Sequence, residues 1–294
     1  MKRPPLSLVF LGTSTFAVPS LEALADDSAF SVNLVITQPD KPKGREKIQT
    51  QSLVKLAAQK RGLLVAQPEH INEEFDDLIA QFSIFNFQFS IVVAYGQILS
   101  QTILDFPDVA PVNVHASLLP RWRGASPMQH AILAGDREAG ITIQKMIYEL
   151  DAGPILAQER TPIEPRETFT ALHDRLATMG AKLLVRTLKE PLHPKEQSTA
   201  GITICKKLTR VDGVVDPNAM TAEEIDRRVR ALNPWPGVTM TIKGTTLKIL
   251  ETRLEQIGES YSLGCAHGTT LYLVTVQPPG KKPMSGAAWG RGRR

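Results

Sequence analysis

The 294 residues suffice for two domains of ordinary size, and 42% hydrophobic against 22% charged residues describe a globular chain with a substantial core. No run of about 18 apolar residues occurs, which excludes a helical membrane span, and two cysteines, Cys205 and Cys265, exclude a disulfide framework. The net charge of +4 is unevenly placed: residues 1–205 carry 20 Lys and Arg against 22 Asp and Glu, whereas residues 206–294 carry 14 against 8. A near-neutral body joined to a basic C-terminal third points to a polyanionic partner held by the smaller part, or simply to a solvated basic face.

Through the first 150 residues, short apolar runs alternate with helical patterns. LSLVFLG (6–12) reads as a buried strand and not as the core of a signal peptide, because it is short and no small-residue cleavage site follows. GTSTF (12–16) leads from it to a helix at PSLEALAD (19–26). It has one glycine and neither G-x-G-x-x-G nor G-K-[ST], so no dinucleotide or nucleoside triphosphate is expected there; its Thr and Ser are expected to help cap the helix. SVNLVITQP (31–39) is a second strand, QSLVKLAAQKRG (51–62) a helix stopped by Gly62, LLVAQP (63–68) a short strand and INEEFDDLIAQF (71–82) a helix. FSIVVAYG (89–96) is a central buried strand, and the phenylalanines of FSIFNFQFS (82–90) belong to it or to a turn before it. Continuous Val/Ile runs between helices argue for an α/β fold with a mostly parallel sheet covered on both faces.

After VNVHASLLPRWRGASP (112–127) the pattern predicts a helix over 126–136, a strand over 140–150, a loop DAGP (151–154), another strand from Ile155 and a helix over about 168–189 with Leu172, Leu176, Met179 and Leu183 as its apolar stripe. EPLHPKEQSTAG (190–201) is polar and Pro-bearing and reads as a linker. TAEEIDRRVRAL (221–232) starts with a capping box, Thr221 with Glu224; Ile225, Val229 and Leu232 face the core while Arg227, Arg228 and Arg230 point elsewhere. Short strand-like pieces with glycine turns follow (238–278), the pattern of a small β-barrel. The boundaries expected are 1–189 for a catalytic domain, 190–205 for a linker and 206–294 for a basic barrel.

The chemistry concentrates in 112–127. Residues i, i+2 and i+4 of a strand share a face, so Asn113, His115 and Ser117 are expected to project together while Val112, Val114 and Ala116 pack behind. Asn offers an uncharged donor at any pH, and His a cation or proton shuttle near neutrality. Asp151, at the end of GITIQKMIYELDAGP, taken alone is a turn-initiating residue; beside His115 it would orient the imidazole. No thiolate, Ser-His-Asp elbow or metal-ligand spacing competes. Amide, imidazole and carboxylate without a nucleophile suit acyl transfer to an amine brought by the substrate.

Asn113-x-His115-x-SLLP, RWRGASP (121–127) and Asp151-AGPI together resemble the 10-formyltetrahydrofolate-dependent formyltransferases. The resemblance implies a Rossmann-like N-terminal domain and an OB-like C-terminal barrel, with Asn113, His115 and Asp151 as the catalytic trio. It implies that Ser117, Leu118, Leu119 and Pro120 line the tetrahydrofolate pocket and that AYG (94–96) lies on the pterin side, with 10-formyltetrahydrofolate as formyl donor and no metal. TQPDKPKGREK (37–47), RALNPWPG (230–237) and VQPPGKKPMSG (276–286) resemble the members of that family that formylate methionyl-tRNA, and the likeness runs from about residue 6 to 290. Between Glu255 and Thr270 the chain is shorter than that resemblance implies, so a reduced strand or hairpin is expected. Lys41, Lys43, Arg45 and Lys47 form a basic arm that Pro and Gly keep extended, suited to RNA phosphates. The expected partner is therefore initiator methionyl-tRNA, in a cytoplasmic, monomeric enzyme without membrane contact. An amino-sugar nucleotide acceptor, water as acceptor, or RNA binding without catalysis remain alternatives.

Overall fold

The computed structural model describes residues 4–43, 48–84 and 86–292. In chain order the elements are β1 (Leu6–Gly12), α1 (Val18–Ala25), β2 (Phe30–Ile36), β3 (Lys41–Lys43), β4 (Ile48–Thr50), α2 (Leu53–Lys60), β5 (Val65–Ala66), α3 (Ile71–Gln81), β6 (Phe89–Val93), α4 (Gln101–Asp105) and β7 (Ala110–His115). There follow β8 (Arg123–Gly124), α5 (Pro127–Ala134), β9 (Glu138–Lys145), β10 (Ile155–Pro162), α6 (Phe169–Lys189), β11 (Ile204–Cys205), β12 (Val214–Val215) and α7 (Ala222–Leu232). The last elements are β13 (Val238–Ile242), β14 (Thr245–Arg253), β15 (Tyr261–Gly264), β16 (Thr270–Gln277), β17 (Met284–Ser285) and α8 (Gly286–Arg291). Two compact units result: Met1–Arg123 with Gly140–Thr161 and His173–Ile204, and Gly124–Ala139 with Pro162–Leu172 and Cys205–Arg294.

The first unit is built on a seven-stranded sheet in the order β10-β9-β7-β6-β1-β2-β5. β1 runs parallel to β2 and β6, and β6 parallel to β7, whereas β9 is antiparallel to β7. Leu8 to Leu11 are all buried, as a strand covered on both faces requires. Of the phenylalanine-rich stretch, Phe89 opens β6 and Phe87 lies in the loop before it, both buried, while Phe85 lies outside the described residues; Phe106 meets Phe75 edge to face and Phe87 at a tilt, 5.1 and 5.4 Å between ring centroids.

Three expectations need correction here. The strand predicted over 140–150 ends at Lys145: the Met146 amide makes one more bond to β7, at the Pro111 carbonyl, and the chain then turns. Ser117 is not on the strand, since β7 ends at His115. In GTSTF, Ser14 caps nothing with its side chain; Thr13 Oγ1 instead donates to the Tyr95 carbonyl (2.8 Å) and accepts from the Gln38 amide (3.2 Å), tying together the carboxyl ends of β1, β6 and β2.

The stretch read as a linker is held within the first unit. Lys195 exchanges both backbone hydrogen bonds with Ile155, and Gln197 reaches the turn at Asp151.

In the second unit β12, β13, β14, β16 and β15 lie side by side in that order, and β17 pairs with β16. The shortened region after Glu255 still forms β15, paired with β16. The capping box of α7 is made in both directions between Thr221 and Glu224. Its arginines do not all face away. Arg230 turns inward to Asp226, and Arg227 lies over Gly135, where a Cβ would meet its guanidinium at 2.0 Å. A buried carboxylate on the helix accounts for Arg230: Asp226 is 1% exposed and needs a cation. Among the described residues, no helix is long and apolar enough to cross a membrane, and no group of three or more His, Cys, Asp or Glu side chains is placed to hold a metal ion.

Candidate active site

The site starts from the β7–β9 pair. In this antiparallel register Asn113 lies opposite Gln144 and His115 opposite Thr142, so four polar side chains meet between Val and Ile residues that alternate with them along the two strands. Val112, Val114, Ile141 and Ile143 are buried behind them. Rigid apolar backing holds dipoles in place for a reaction instead of letting them relax.

Asp151 joins this group from the turn after β9. Its Oδ1 accepts from Gln144 Nε2 at 2.9 Å and from Asn113 Nδ2 at 3.4 Å, and lies 3.5 Å from His115 Nδ1. The last two distances are at the outer edge of hydrogen bonding. The opposite ring nitrogen, His115 Nε2, lies 2.9 Å from the Trp122 carbonyl. A carbonyl only accepts, so Nε2 carries a proton. Both ring nitrogens therefore face acceptors: the cationic ring satisfies both, the neutral ring one. Asp151 itself has φ +51°, a left-handed conformation that costs a non-glycine residue about 1–2 kcal/mol. Tyr148 and Leu150, 68% and 69% exposed, stand just before it in the turn.

The SLLP turn is fixed by one hydroxyl. Thr142 Oγ1 donates to the Ser117 carbonyl (2.6 Å) and accepts from the Leu119 amide (3.1 Å) and Gln158 Nε2 (2.9 Å). The Ser117 hydroxyl is taken up by the Arg121 carbonyl at 2.6 Å, Leu119 is buried, and Leu118 and Pro120 are half-buried. Ala94 and Gly96 of AYG both have positive φ, +46° and +94°. Tyr95 between them is buried; burial, aided by the charge of Glu74, pushes its phenol above the usual tyrosine range. Tyr95 Oη and Gln144 Oε1 are buried and have no partner among the described residues. Orphaned polar atoms of this kind fit a ring system rich in donors and acceptors, such as a pterin.

The basic arm is a two-stranded antiparallel ribbon of β3 and β4. Lys41 is exposed at its base, Lys43 ends β3, and Arg45 and Lys47 lie outside the described residues. Asp40 anchors the ribbon: Lys55 (2.8 Å) and Gln67 (2.8 Å) bond to its carboxylate and hold it below the ordinary Asp value. The second unit contains a cleft of about 580 Å³ with Val229, Val238 and Leu250 among its walls and Arg166, Lys248 and Arg253 among its polar groups.

The formyl transferase family model matches residues 6–188, and the model of the formyl transferase C-terminal domain matches 207–294. A methionyl-tRNA formyltransferase of Gluconobacter oxydans is 40% identical over 299 residues, covering 98% of this chain and 97% of that one. Another, of Halorhodospira halophila, is 42% identical over 303 residues, covering 98% and 96%. The chain belongs to the methionyl-tRNA formyltransferase family. Among solved structures, an N-formyltransferase of Helicobacter canadensis in complex with folinic acid and dTDP-3-aminofucose superposes with a TM-score of 0.68 at 18% identity, over 93% of this chain and 99% of that one. That likeness establishes the shared fold.

In this formyltransferase, sequence reasoning picked out Asn113, His115 and Asp151, and the structure brings Asn113 and His115 each within 3.5 Å of the Asp151 carboxylate. It missed Gln144, Thr142, Gln158 and Gln197. For the first two a signal was present: Thr142 and Gln144 are alternate polar residues inside the apolar run GITIQKM, hence one face of a buried strand. Gln158 and Gln197 gave none.

Proposed function

We propose that this chain transfers the formyl group of 10-formyltetrahydrofolate to the α-amine of initiator methionyl-tRNA, yielding N-formylmethionyl-tRNA for translation initiation. The observation that carries the reading is the convergence of Asn113 and His115 on Asp151 in a chain alike over its whole length to methionyl-tRNA formyltransferases. The folate supplies the formyl group. An α-amine has a pKa of about 7.7–8.0, so a neutral fraction is present near neutrality to attack the formyl carbon. Asn113 Nδ2, 3.4 Å from Asp151 Oδ1, turns to donate to the oxygen that gains negative charge. His115 places the positive charge of its ring beside that oxygen. Asp151 keeps the ring oriented and accepts the amine proton, directly or through water; collapse of the tetrahedral adduct then breaks the bond between the formyl carbon and N10 of the folate, and that proton passes to N10 as tetrahydrofolate leaves. Leu118, Leu119, Pro120 and the hydroxyl-pinned backbone of Ser117 form the folate-side wall, with Tyr95 and Gln144 offering hydrogen bonds to the pterin.

On the RNA side, Lys41, Lys43, Arg45 and Lys47 contact phosphates near the acceptor end, and the basic second unit, Arg166, Lys248 and Arg253 included, holds the tRNA body without reading sequence. The activity belongs to the cytoplasm, and we propose a monomer. The test is formyl transfer from 10-formyltetrahydrofolate to charged initiator methionyl-tRNA, beside His115→Ala and Arg45→Ala. Turnover by wild type, its loss in His115→Ala and a raised tRNA KM in Arg45→Ala are expected. Folate binding without formylation of methionyl-tRNA sinks the acceptor and directs the search to amino-sugar nucleotides.

A further inference from the structure

The turn that carries Asp151 is shaped by close approaches. Asp151 is left-handed, and two residues on the backbone passes so near β9 that a Cβ at Gly153 would lie 1.8 Å from the Lys145 carbonyl. A turn of this kind persists only where its surroundings over-determine it. One side chain does so from far along the chain. Gln197 Nε2 donates to the carbonyls of Asp151 and Gly153, both at 2.8 Å. Its two N–H groups are thus divided between two carbonyls of the same turn. The other end of the amide is also held: Gln197 Oε1 accepts from Arg123 Nε (3.1 Å) and Nη2 (2.8 Å). Arg123 belongs to the RWRGASP stretch that follows the SLLP turn, so the amide bridges the two loops that frame the trio.

We infer that Gln197 is a positioning residue for formyl transfer: by clamping the backbone at Asp151 and Gly153 it keeps the Asp151 carboxylate aimed at Asn113 and His115. The inference rests on the reading of these three as the reaction centre. Gln197→Glu is the informative variant. It keeps the shape and gives Arg123 a charged acceptor, yet removes both donors to the turn. Gln197→Leu removes everything.

The experiment measures kcat, both KM values and Tm for wild type, Gln197→Glu and Gln197→Leu, alone and combined with Asp151→Asn, and solves the crystal structure of Gln197→Glu. A misplacement of about 1 Å costs about 10²-fold in rate, so kcat is expected to fall about 10²-fold with both KM values within about twofold. In the Asp151→Asn background the same change is expected to cost under about threefold, because a residue that acts through Asp151 loses its effect with it. Equal losses in both backgrounds, or a lowered Tm with unchanged kcat, overturn the inference. So does a Gln197→Glu structure in which Asp151 keeps its left-handed φ and its carboxylate position. That structural result stands whatever the acceptor, whereas a wild type that formylates no methionyl-tRNA overturns the proposed function alone.

Discussion

Each unit of this molecule holds an aspartate in a polar network, and the two are held in opposite ways. Asp226 is 1% exposed and saturated by short contacts: Arg166 Nη1 to both oxygens at 2.8 Å, Arg230 Nε at 2.9 Å and Thr252 Oγ1 at 2.8 Å. Burial alone would raise its carboxyl, but these hydrogen bonds outweigh burial and hold it below the ordinary range. At Asp151 the neutral amide of Gln144 comes to 2.9 Å, whereas Asn113 and His115 approach to 3.4 and 3.5 Å. The first arrangement has nothing left to give to a ligand. The second leaves the amide and imidazole short moves from a new partner, while its backbone is clamped by Gln197. Locked charge serves the fold; a locked backbone under loosely engaged side chains serves chemistry.

If that contrast is right, removing Asp226 must damage stability and spare chemistry. Asp226→Ala leaves two cations uncompensated, and breaking a buried ion pair costs about 3–5 kcal/mol; urea denaturation is expected to show a loss of that order, with kcat of the folded fraction unchanged. The same network gives a pH signature. A carboxyl whose folded pKa is depressed stabilises in full above its unfolded value, 3.8, and loses that contribution as pH falls through the lower folded value. Wild type is therefore expected to lose more stability between pH 5 and 2 than Asp226→Ala, and parallel curves would count against the network. Asn113→Ala should do the reverse: loss of an oxyanion donor lowers kcat by about 10²–10³-fold, with Tm within a degree or two. Gln144→Leu removes one neutral hydrogen bond to Asp151, a matter of about 1 kcal/mol, and about fivefold slower turnover is expected; an effect as large as that of Asn113→Ala would make Gln144 an equal member of the centre. The smallest expected change is Thr221→Ala, which deletes the α7 cap and costs about 1 kcal/mol in denaturation, with no effect on turnover.

What could be read in the sequence follows from which interactions are local. The alternation of Asn113 and His115 in an apolar run is a strand signal, and the strand is there. Its length was overread, because a strand's exit is set by its partner: β7 ends at His115 and β9 at Lys145, where the pairing between them stops. Asp151 was legible as a turn residue, but the distances that join it to β7 come from folding, not spacing. Gln197 is 46 residues from Asp151 in sequence and sits in a polar, proline-bearing stretch that composition marks as a linker. Asp226 was hidden for a different reason. An aspartate amid arginines on an exposed-looking helix face resembles a solvated i, i+4 pair with Arg230, and only Arg166, from a distant loop, turns it into a buried centre.

Thr142 carries a consequence of another kind. Its hydroxyl gives one hydrogen and takes two, which fills its bonding capacity. Substitution at this position is therefore governed by valence before volume. Valine has the same outline and would strand the Ser117 carbonyl and the Leu119 amide in a dry interior, and cost the exposed Gln158 one of its bonds; serine leaves a void the size of a methyl and keeps all three bonds. A comparison of shapes alone would rank these two replacements in the wrong order, and the folate wall built on the SLLP backbone would be the part to register the error.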